Sequence, residues 1–191
     1  FICNFTTQYP ELSVNLLLGD NLSDISAQGY DVAIRSGQLV KQDLDLVAKK
    51  ITEHHNVICA SPDYLRTNAP IRQPIDLHSH RIIEDLNLMN HKIWQFTKEG
   101  QEQALQIVPS LSVNSVQAVK IALEQHFGVA MLPRELAEKE LKRGQLIEVL
   151  NDYQLSKRNV YALYRERTNT PKKVKVFIEE LKAYYSHSPH Q

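Results

Sequence analysis

The sequence predicts an α/β protein of two lobes, and three observations support this prediction. Short apolar runs typical of strands alternate with stretches of helical period. The alternation is interrupted after Ala60 by a segment that contains Pro62, Pro70 and Pro74, which indicates a boundary between lobes. The length of 191 residues is enough for two small lobes with cores of their own. Since strand, helix and strand repeat in that order, we expect right-handed crossovers and a mostly parallel sheet.

The first lobe is predicted to begin with four strands and one helix. The strands cover residues 12–18, 30–36, 46–51 and 56–60, and the helix covers residues 21–28. Gly29 closes the helix, because glycine readily adopts the left-handed conformation that often ends one. The polar residues 52–55 suit a turn between the last two strands.

The second lobe is predicted from another series of strands and helices. Its strands cover residues 81–84, 92–97, 111–113, 129–132 and 146–150, and its helices cover residues 115–125 and 133–141. A strand over residues 159–164 and an amphipathic helix over residues 171–185 follow. The helix places Val174, Phe177, Ile178 and Leu181 on one apolar stripe.

Composition and cysteine content limit the class of protein. The 22 lysines and arginines balance the 22 aspartates and glutamates, so the long-range field that attracts nucleic acid or an anionic membrane is absent. No window reaches the ~20 apolar residues that span a bilayer. Cys3 and Cys59 lie far apart in sequence, and we expect two reduced thiols in a cytoplasmic protein. The chain begins at Phe1 with neither methionine nor a leader, so we expect a fragment.

Polar residues at strand ends of the first lobe are candidates for binding. Asp20 follows a predicted strand, where it either caps the next helix or, with Asn21, faces a ligand at the strand ends. Arg35 and Ser36 end the neighbouring strand and reach the same edge. The guanidinium of Arg35 could bind a carboxylate with two hydrogen bonds.

The alternative for this arginine is an ion pair with a protein acid. Asp31 and Asp43 are the two acids considered as partners of Arg35. Both interpretations remain open at this point.

The second lobe repeats this pattern at Val113, Asn114, Ser115 and Val116. Asn114 or Ser115 is a natural N-cap for the helix that follows. A helix N-terminus carries about half a positive charge and suits an anion. The turn is therefore either a plain cap or an anion-binding element.

Metal and catalytic sites are not expected. Two histidine pairs, His54 with His55 and His78 with His80, lack metal-ligand spacing and a supporting set of cysteines and carboxylates. No nucleophile elbow, dinucleotide-binding fingerprint or phosphate-binding loop is present. We predict no catalytic residue, no metal ligand, no cofactor and no enzymatic activity.

Eight segments in one order resemble a known family, the regulatory, effector-binding domain of LysR-type transcriptional regulators. They are residues 5–10 (FTTQYP), 28–37 (QGYDVAIRSG), 46–50 (LVAKK), 59–65 (CASPDYL), 76–83 (DLHSHRII), 94–96 (WQF), 128–133 (GVAMLP) and 144–150 (GQLIEVL). Each segment is unspecific by itself. Together they occur in the family's order over nearly the whole chain.

The resemblance implies two Rossmann-like lobes similar to periplasmic solute-binding proteins, joined by two crossover strands. Residues 1–60 plus 161–191 would form an N-terminally truncated first lobe, and residues 61–160 the second. An effector would be bound between them, and the family uses the strand-to-helix turn at Ser115 for effector contacts. The expected effector-binding residues are Asp20, Asn21, Arg35, Ser36, Asn114, Ser115, Val116, Leu132 and Pro133.

The function that follows is effector sensing by a bacterial LysR-type regulator. The expected partners are a small-molecule effector, with carboxylates as one candidate class, and further copies of the chain in a homodimer or homotetramer. DNA would be bound only through an N-terminal helix-turn-helix domain that this sequence lacks, and no membrane partner is expected. The alternative is a stand-alone solute-binding protein of a transporter.

Overall fold

The computed structural model describes residues 1–18, 29–36, 46–87, 92–165 and 170–187. The strands, in chain order, are β1 Ala33–Ser36, β2 Leu46–His54, β3 Asn56–Ala60, β4 Ile82–Asp85, β5 Ile93–Lys98, β6 Gln101–Gln106, β7 Pro109–Val113, β8 Val129–Pro133, β9 Ile147–Val149, β10 Gln154–Leu155 and β11 Arg158–Arg165. The α-helices are α1 Ile2–Gln8, α2 Pro62–Thr67, α3 Val116–Glu124, α4 Arg134–Lys142 and α5 Lys172–His187, and a 3₁₀-helix covers Pro74–Ser79.

The chain divides into two compact units. Unit 1 consists of Phe1–Glu53 and Asn159–Gln191, and unit 2 is His54–Arg158. The sequence-based boundary after Ala60 lies seven residues later than this division (60 against 53), because β3 hydrogen-bonds to β8 and β9 and so belongs to unit 2. The chain passes between the units twice, once after β2 residue Glu53 and once at the start of β11.

Unit 1 contains a three-stranded sheet in the order β1-β11-β2. β1 runs antiparallel to β11 and pairs Arg35 with Tyr161 and Ser36 with Val160. The helix α5 packs Val174, Ile178 and Leu181 against buried sheet residues Ile51 and Ala162. The predicted stripe of α5 therefore faces the core, as its spacing indicates.

Unit 2 is built around a five-stranded sheet in the order β7-β4-β8-β3-β9. Successive residues of β3 enter different cores: Ile58 joins a cluster with Trp94 and Phe96, whereas Val57 and Cys59 join the cluster under α3 and α4. Both faces of β3 are thus covered, which explains why its sequence is a continuous apolar run.

A second sheet of unit 2 has the strand order β10-β5-β6. The hairpin between β5 and β6 turns at Glu99 and Gly100, whose φ angles are 52° and 78°. Two successive positive φ values define a tight hairpin turn that matches the twist of the flanking strands.

Two expectations about the strands are wrong. The sheet is not mostly parallel: β4 runs parallel to β7 and β8, but β3 runs antiparallel to both β8 and β9. Strand and helix alternation constrains only strands joined by a crossover, and β3 is separated from β8 by much of unit 2. Residues 12–18 form no strand, and the exposed fractions of Leu16, Leu17 and Leu18 are 58%, 63% and 89%. The helix predicted over residues 21–28 lies outside the described residues.

Both cysteines are free thiols, Cys3 exposed on α1 and Cys59 buried in β3. Burial raises the pKa of the Cys59 thiol to about 12. None of the helices in the described ranges combines the length and the apolar character that crossing a bilayer requires.

Candidate functional site

One edge of the large sheet in unit 2 collects most of the candidate residues. β4, β7 and β8 run in the same direction, so their carboxyl ends lie at one edge. Asn114 and Ser115 follow β7, and Leu132 and Pro133 end β8. β3 begins at this same edge, because Asn56 pairs with Pro133 in antiparallel register.

Ser115 occupies the N-cap position of α3, but its hydroxyl does not cap the helix. Its backbone is extended (φ −144°, ψ 122°), its carbonyl accepts a hydrogen bond from the Val119 N–H at 3.0 Å, and its side chain makes no capping bond. The half-buried hydroxyl is therefore not engaged with its own helix. This result disfavours the plain-cap interpretation of Ser115.

The two helices that begin at this edge differ in charge. The first turn of α3 contains no acidic residue, so its own sequence does not neutralise the positive end of the helix dipole. The first turn of α4 contains Glu135, whose carboxylate also lies 3.2 Å from His54 Nδ1. Of these two helix starts, α3 is the one suited to an anion.

Three of the expected contact residues near these helices differ in accessibility. Val116 is the first residue of α3 and is half-buried. Leu132 is 1% exposed, and its side chain belongs to the apolar cluster beneath α3 and α4. Pro133 is also buried and is the N-cap residue of α4. Leu132 therefore supports this edge as part of the core.

The first-lobe candidates lie in unit 1, at the end of β1. Arg35 is half-buried and Ser36 is exposed. Of the two acids considered as partners of Arg35, Asp31 lies 2.7 Å from Lys173 Nζ, and Asp43 lies outside the described residues. Asp20 and Asn21 also lie outside the described residues. The assignment of these residues to one effector site stays a prediction.

The chain matches known proteins over nearly its whole length. A family model described as the LysR substrate binding domain matches residues 1–186. The chain belongs to the LysR substrate-binding domain family. This finding confirms the family resemblance read from the eight segments.

Curated relatives of this LysR substrate-binding domain are transcriptional regulators. The chain is 31% identical over 185 residues to the HTH-type transcriptional regulator PtxR of Pseudomonas aeruginosa, with 97% of the chain and 59% of the relative covered. It is 34% identical over 178 residues to the HTH-type transcriptional activator AaeR of Escherichia coli, with 93% and 57% covered. The chain therefore spans somewhat less than three fifths of the length of these relatives.

Solved structures agree with this LysR domain in fold. The full-length virulence activator AphB of Vibrio cholerae superposes with a TM-score of 0.81 at 25% identity, covering 96% of this chain and 62% of that one. The regulatory domain of CrgA from Neisseria meningitidis superposes with a TM-score of 0.82 at 20% identity, covering 96% and 89%. The expected two-lobe α/β fold of the periplasmic-binding-protein type is confirmed.

Sequence reasoning missed three polar residues at the same edge of this LysR domain. Asp85 ends β4 and is 3% exposed, Asn87 follows it, and Arg158 begins β11. Asp85 follows the apolar pair Ile82-Ile83, so the strand-end rule applied to Arg35 could also have found it. Nothing near Arg158 in sequence predicts its contact with residue 87.

A group of hydrolase-type side chains elsewhere in unit 2 has a structural explanation. Ser61 Oγ lies 2.8 Å from His126 Nδ1, and His126 Nε2 lies 3.3 Å from Asp63 Oδ2. Ser61 is only 1% exposed, and its hydroxyl accepts a hydrogen bond from the Tyr64 N–H at 3.3 Å. A nucleophile must reach its substrate, so this buried serine acts as the N-cap of α2.

The histidine pairs do not gather metal ligands. His80 is 7% exposed and its Nδ1 lies 3.2 Å from the Tyr64 hydroxyl, which accepts a hydrogen bond from the Arg81 N–H at 3.0 Å. In the part of the chain that the structure describes, no three histidine, cysteine or acidic side chains could share a metal ion. The His80 contact assigns that residue to the packing of α2.

Proposed function

We propose that this LysR substrate-binding domain senses a small-molecule effector for a DNA-binding transcriptional regulator. Residues of both lobes hold the effector: Arg35 and Ser36 in the first, and the turn at Asn114 and Ser115 in the second. The observation that carries this proposal is the start of α3, where the serine hydroxyl is not used for capping and the first turn lacks an acid. The relatives named as regulators support the same function.

The effector that fits these groups is an anion. A guanidinium and a helix N-terminus whose first turn has no acid both favour negative charge, and a carboxylate matches the planar arginine fork. Glu135 makes the start of α4 unsuitable for the same anion. Small carboxylates and aromatic acids are therefore the first class of compound to test.

Binding is linked to regulation by a difference in affinity. An effector that binds one arrangement of lobes or subunits more tightly increases the population of that arrangement. The coupling free energy between effector binding and DNA binding is ~1 to 3 kcal/mol. DNA contact belongs to a helix-turn-helix domain outside this chain, as the names of the HTH-type relatives support. Such a regulator works in the cytoplasm as a homodimer or homotetramer, without catalysing a reaction.

The proposal is tested by a thermal-shift screen followed by calorimetric titration. The screen uses mono- and dicarboxylates and aromatic acids, with their amides as uncharged controls. We expect at least one acid to raise the melting temperature while its amide does not. A panel in which acids and amides behave alike would contradict an anionic effector.

Two variants test the site with the acid that gives the largest shift. Arg35→Ala should weaken binding by ~1.5 to 3 kcal/mol, the range for a hydrogen bond to a charged group. Ser115→Ala should weaken binding by ~0.5 to 1.5 kcal/mol, the range for a neutral hydrogen bond. The exposed residues Arg143 and Ser110 supply matched controls, Arg143→Ala and Ser110→Ala. Wild-type affinity in both test variants would refute the site.

Self-association is tested separately by sedimentation. Leu16 is one apolar candidate for the interface and is 58% exposed, whereas Leu22 and Ile25 lie outside the described residues. A stable interface should bury at least ~1,000 Å² in total. We expect a dimer at high protein concentration, and a strictly monomeric chain would contradict this part of the proposal.

A further inference from the structure

Asn87 connects three polar groups at the carboxyl edge of the unit 2 sheet. Its side-chain Nδ2 donates to the carbonyl of Asn114 at 2.8 Å. Its backbone N–H donates to Asp85 Oδ1 at 3.0 Å. Its carbonyl accepts a hydrogen bond from Arg158 Nη2 at 2.7 Å. Asn87 therefore joins the end of β4, the turn before α3 and the start of β11.

The turn that Asn87 holds is the one that positions Ser115. The neighbouring Leu86 N–H donates to the Val113 carbonyl at 2.8 Å, which fixes the same turn one residue earlier. With residues 113 and 114 both bonded, the backbone that enters α3 is anchored on the residues that follow β4. Loss of the Asn87 side chain would release one of these two anchors.

Arg158 supplies the third connection from a half-buried position. Burial lowers the pKa of its guanidinium, and the nearby carboxylate of Asp85 acts in the opposite direction. A buried charge is costly unless it is paired and hydrogen-bonded. The hydrogen bond to the Asn87 carbonyl and the favourable charge of the Asp85 carboxylate offset this cost.

The position of Arg158 in the chain gives this contact its significance. It is the last residue of unit 2, and the chain continues along β11 into unit 1. Three residues further on, Tyr161 pairs with Arg35 across the β11–β1 ladder. Strand β11 therefore contains both Arg158, which holds the turn before Ser115 through Asn87, and Tyr161, which pairs with Arg35.

We propose that Arg158 is a positioning residue for the effector turn, acting through Asn87 on Asn114 and coupling that turn to strand β11. This inference deepens the proposed function and rests on it for the identity of the turn as an effector contact. A change at Ser115 would reach β11 through two hydrogen bonds, and a displacement of β11 would reach Ser115 by the same route.

The test is amide hydrogen exchange, followed by NMR, in the 191-residue chain without ligand. The reporters are the Val119 N–H, which bonds to the Ser115 carbonyl, and the amides of residues 160–163 in β11. The reference amides are those of residues 129–132 in β8. The variants are Arg158→Gln, Arg158→Lys and Asn87→Ala, with Arg66→Ala as a control on an exposed arginine that pairs with Asp63.

Each variant has a distinct expected pattern. Arg158→Gln should accelerate exchange at both reporters by about fivefold or more, the lower end of typical coupling between sites. Asn87→Ala should accelerate exchange at Val119 only, because its carbonyl still holds Arg158. Arg158→Lys should remain near wild type, since an ammonium group can donate the one hydrogen bond to the Asn87 carbonyl and keeps a positive charge near Asp85. Arg66→Ala should change neither reporter.

A purely structural role for Arg158 predicts something different. General destabilisation would accelerate the β8 reference amides together with the reporters, and its effects would add in the double variant Arg158→Gln/Asn87→Ala. If Arg158 acts only through Asn87, the second substitution removes nothing further. The double variant should then have the same Val119 exchange rate as Arg158→Gln alone.

Three results would overturn the inference: wild-type exchange at Val119 in Arg158→Gln, uniform acceleration, or additive effects. If Arg158→Gln does not fold, Asn87→Ala decides the question. Unchanged Val119 exchange in that variant would refute the proposal that Arg158 acts through Asn87 on Asn114. No ligand enters the measurement. Its failure is therefore distinguishable from failure of the effector titrations that test Ser115 and Arg35.

Discussion

Two serines begin helices in unit 2, and their hydroxyl groups are used differently. Ser61 at the start of α2 is buried and accepts the Tyr64 N–H, whereas the hydroxyl of Ser115 at the start of α3 makes no such bond. The first turn of α2 also contains Asp63, but that of α3 has no acid. An N-cap serine is therefore not sufficient to identify a site: the hydroxyl at the start of α2 is used by its own helix, whereas the hydroxyl at the start of α3 is not.

The largest expected effect concerns the loop that supports Ser61. Gly128 lies two residues after His126, and a Cβ atom at Gly128 would come within 2.2 Å of the Arg81 carbonyl oxygen. Gly128→Ala should therefore force the backbone apart and reduce the free energy of unfolding by about 3 kcal/mol. Urea denaturation measures the change.

Gly144→Ala is the matched control, since φ at Gly144 is +68° but nothing lies within 4 Å of its added Cβ. The cost there should be nearer 1 kcal/mol, the penalty for a left-handed residue. Equal losses in the two variants would show that the loop around His126 is less tightly fitted than the structure indicates.

The next largest effect concerns the hydroxyl group of the capping serine, Ser61. Ser61→Ala should reduce the free energy of unfolding by ~1 to 2 kcal/mol, because the Tyr64 N–H loses its acceptor and His126 Nδ1 loses its hydroxyl partner. Thermal and urea unfolding both report this loss. Wild-type stability would mean that the hydroxyl is dispensable to α2, and the contrast with Ser115 would disappear.

The stability of the region around α2 should also depend on pH through His80. Burial lowers the pKa of His80, whose ring contacts Tyr64 of α2, from its ordinary value of 6.5. The unfolded chain therefore takes up this proton first as the pH falls. The contribution of His80 to stability is complete above about pH 6.5 and decreases as the pH falls toward the lowered folded-state value.

Urea midpoints measured between pH 5 and 8 test this expectation. His80→Gln should flatten the acid side of the stability curve. An unaltered slope in the His80 variant would assign the pH dependence to other groups.

The smallest expected effect on stability is at Ser115. A capping hydroxyl would contribute ~0.5 to 2 kcal/mol, but this one makes no capping bond, so Ser115→Ala should change the free energy of unfolding by less than ~0.5 kcal/mol. Ser110→Ala, on the exposed face of β7, provides the baseline. A loss of unfolding free energy as large as that in Ser61→Ala would show that the Ser115 hydroxyl has a structural role.

Much of the fold could be predicted from local sequence, and the failures have physical causes. The continuous apolar run of β3 and the stripe of α5 reflect burial that the sequence shows directly. Strand β6 was missed because its sequence, QEQALQ, is mostly polar and lacks β-branched residues. It forms because the turn at Glu99 and Gly100 brings it beside β5, a contact that local propensity does not report.

The candidate site was predicted only in part for a related reason. The strand-end rule found Asn114 and Ser115, because the polar residues directly follow an apolar strand. It could not show that the hydroxyl of Ser115 is not used for capping, since that depends on the side-chain geometry of one helix start. It also missed Arg158, which is 71 residues away in sequence from its hydrogen-bond partner Asn87.

The contrast between the two cysteines has a practical consequence for spectroscopy. A maleimide reagent requires a thiolate that is in contact with solvent. Cys59 is buried in β3, and burial raises the pKa of its thiol to about 12, so it is neither exposed nor ionised. Cys3 is exposed on α1 and should be labelled alone in the native protein. A fluorophore or spin label could thus be placed on unit 1 without any substitution, and used to follow its motion while compounds are added.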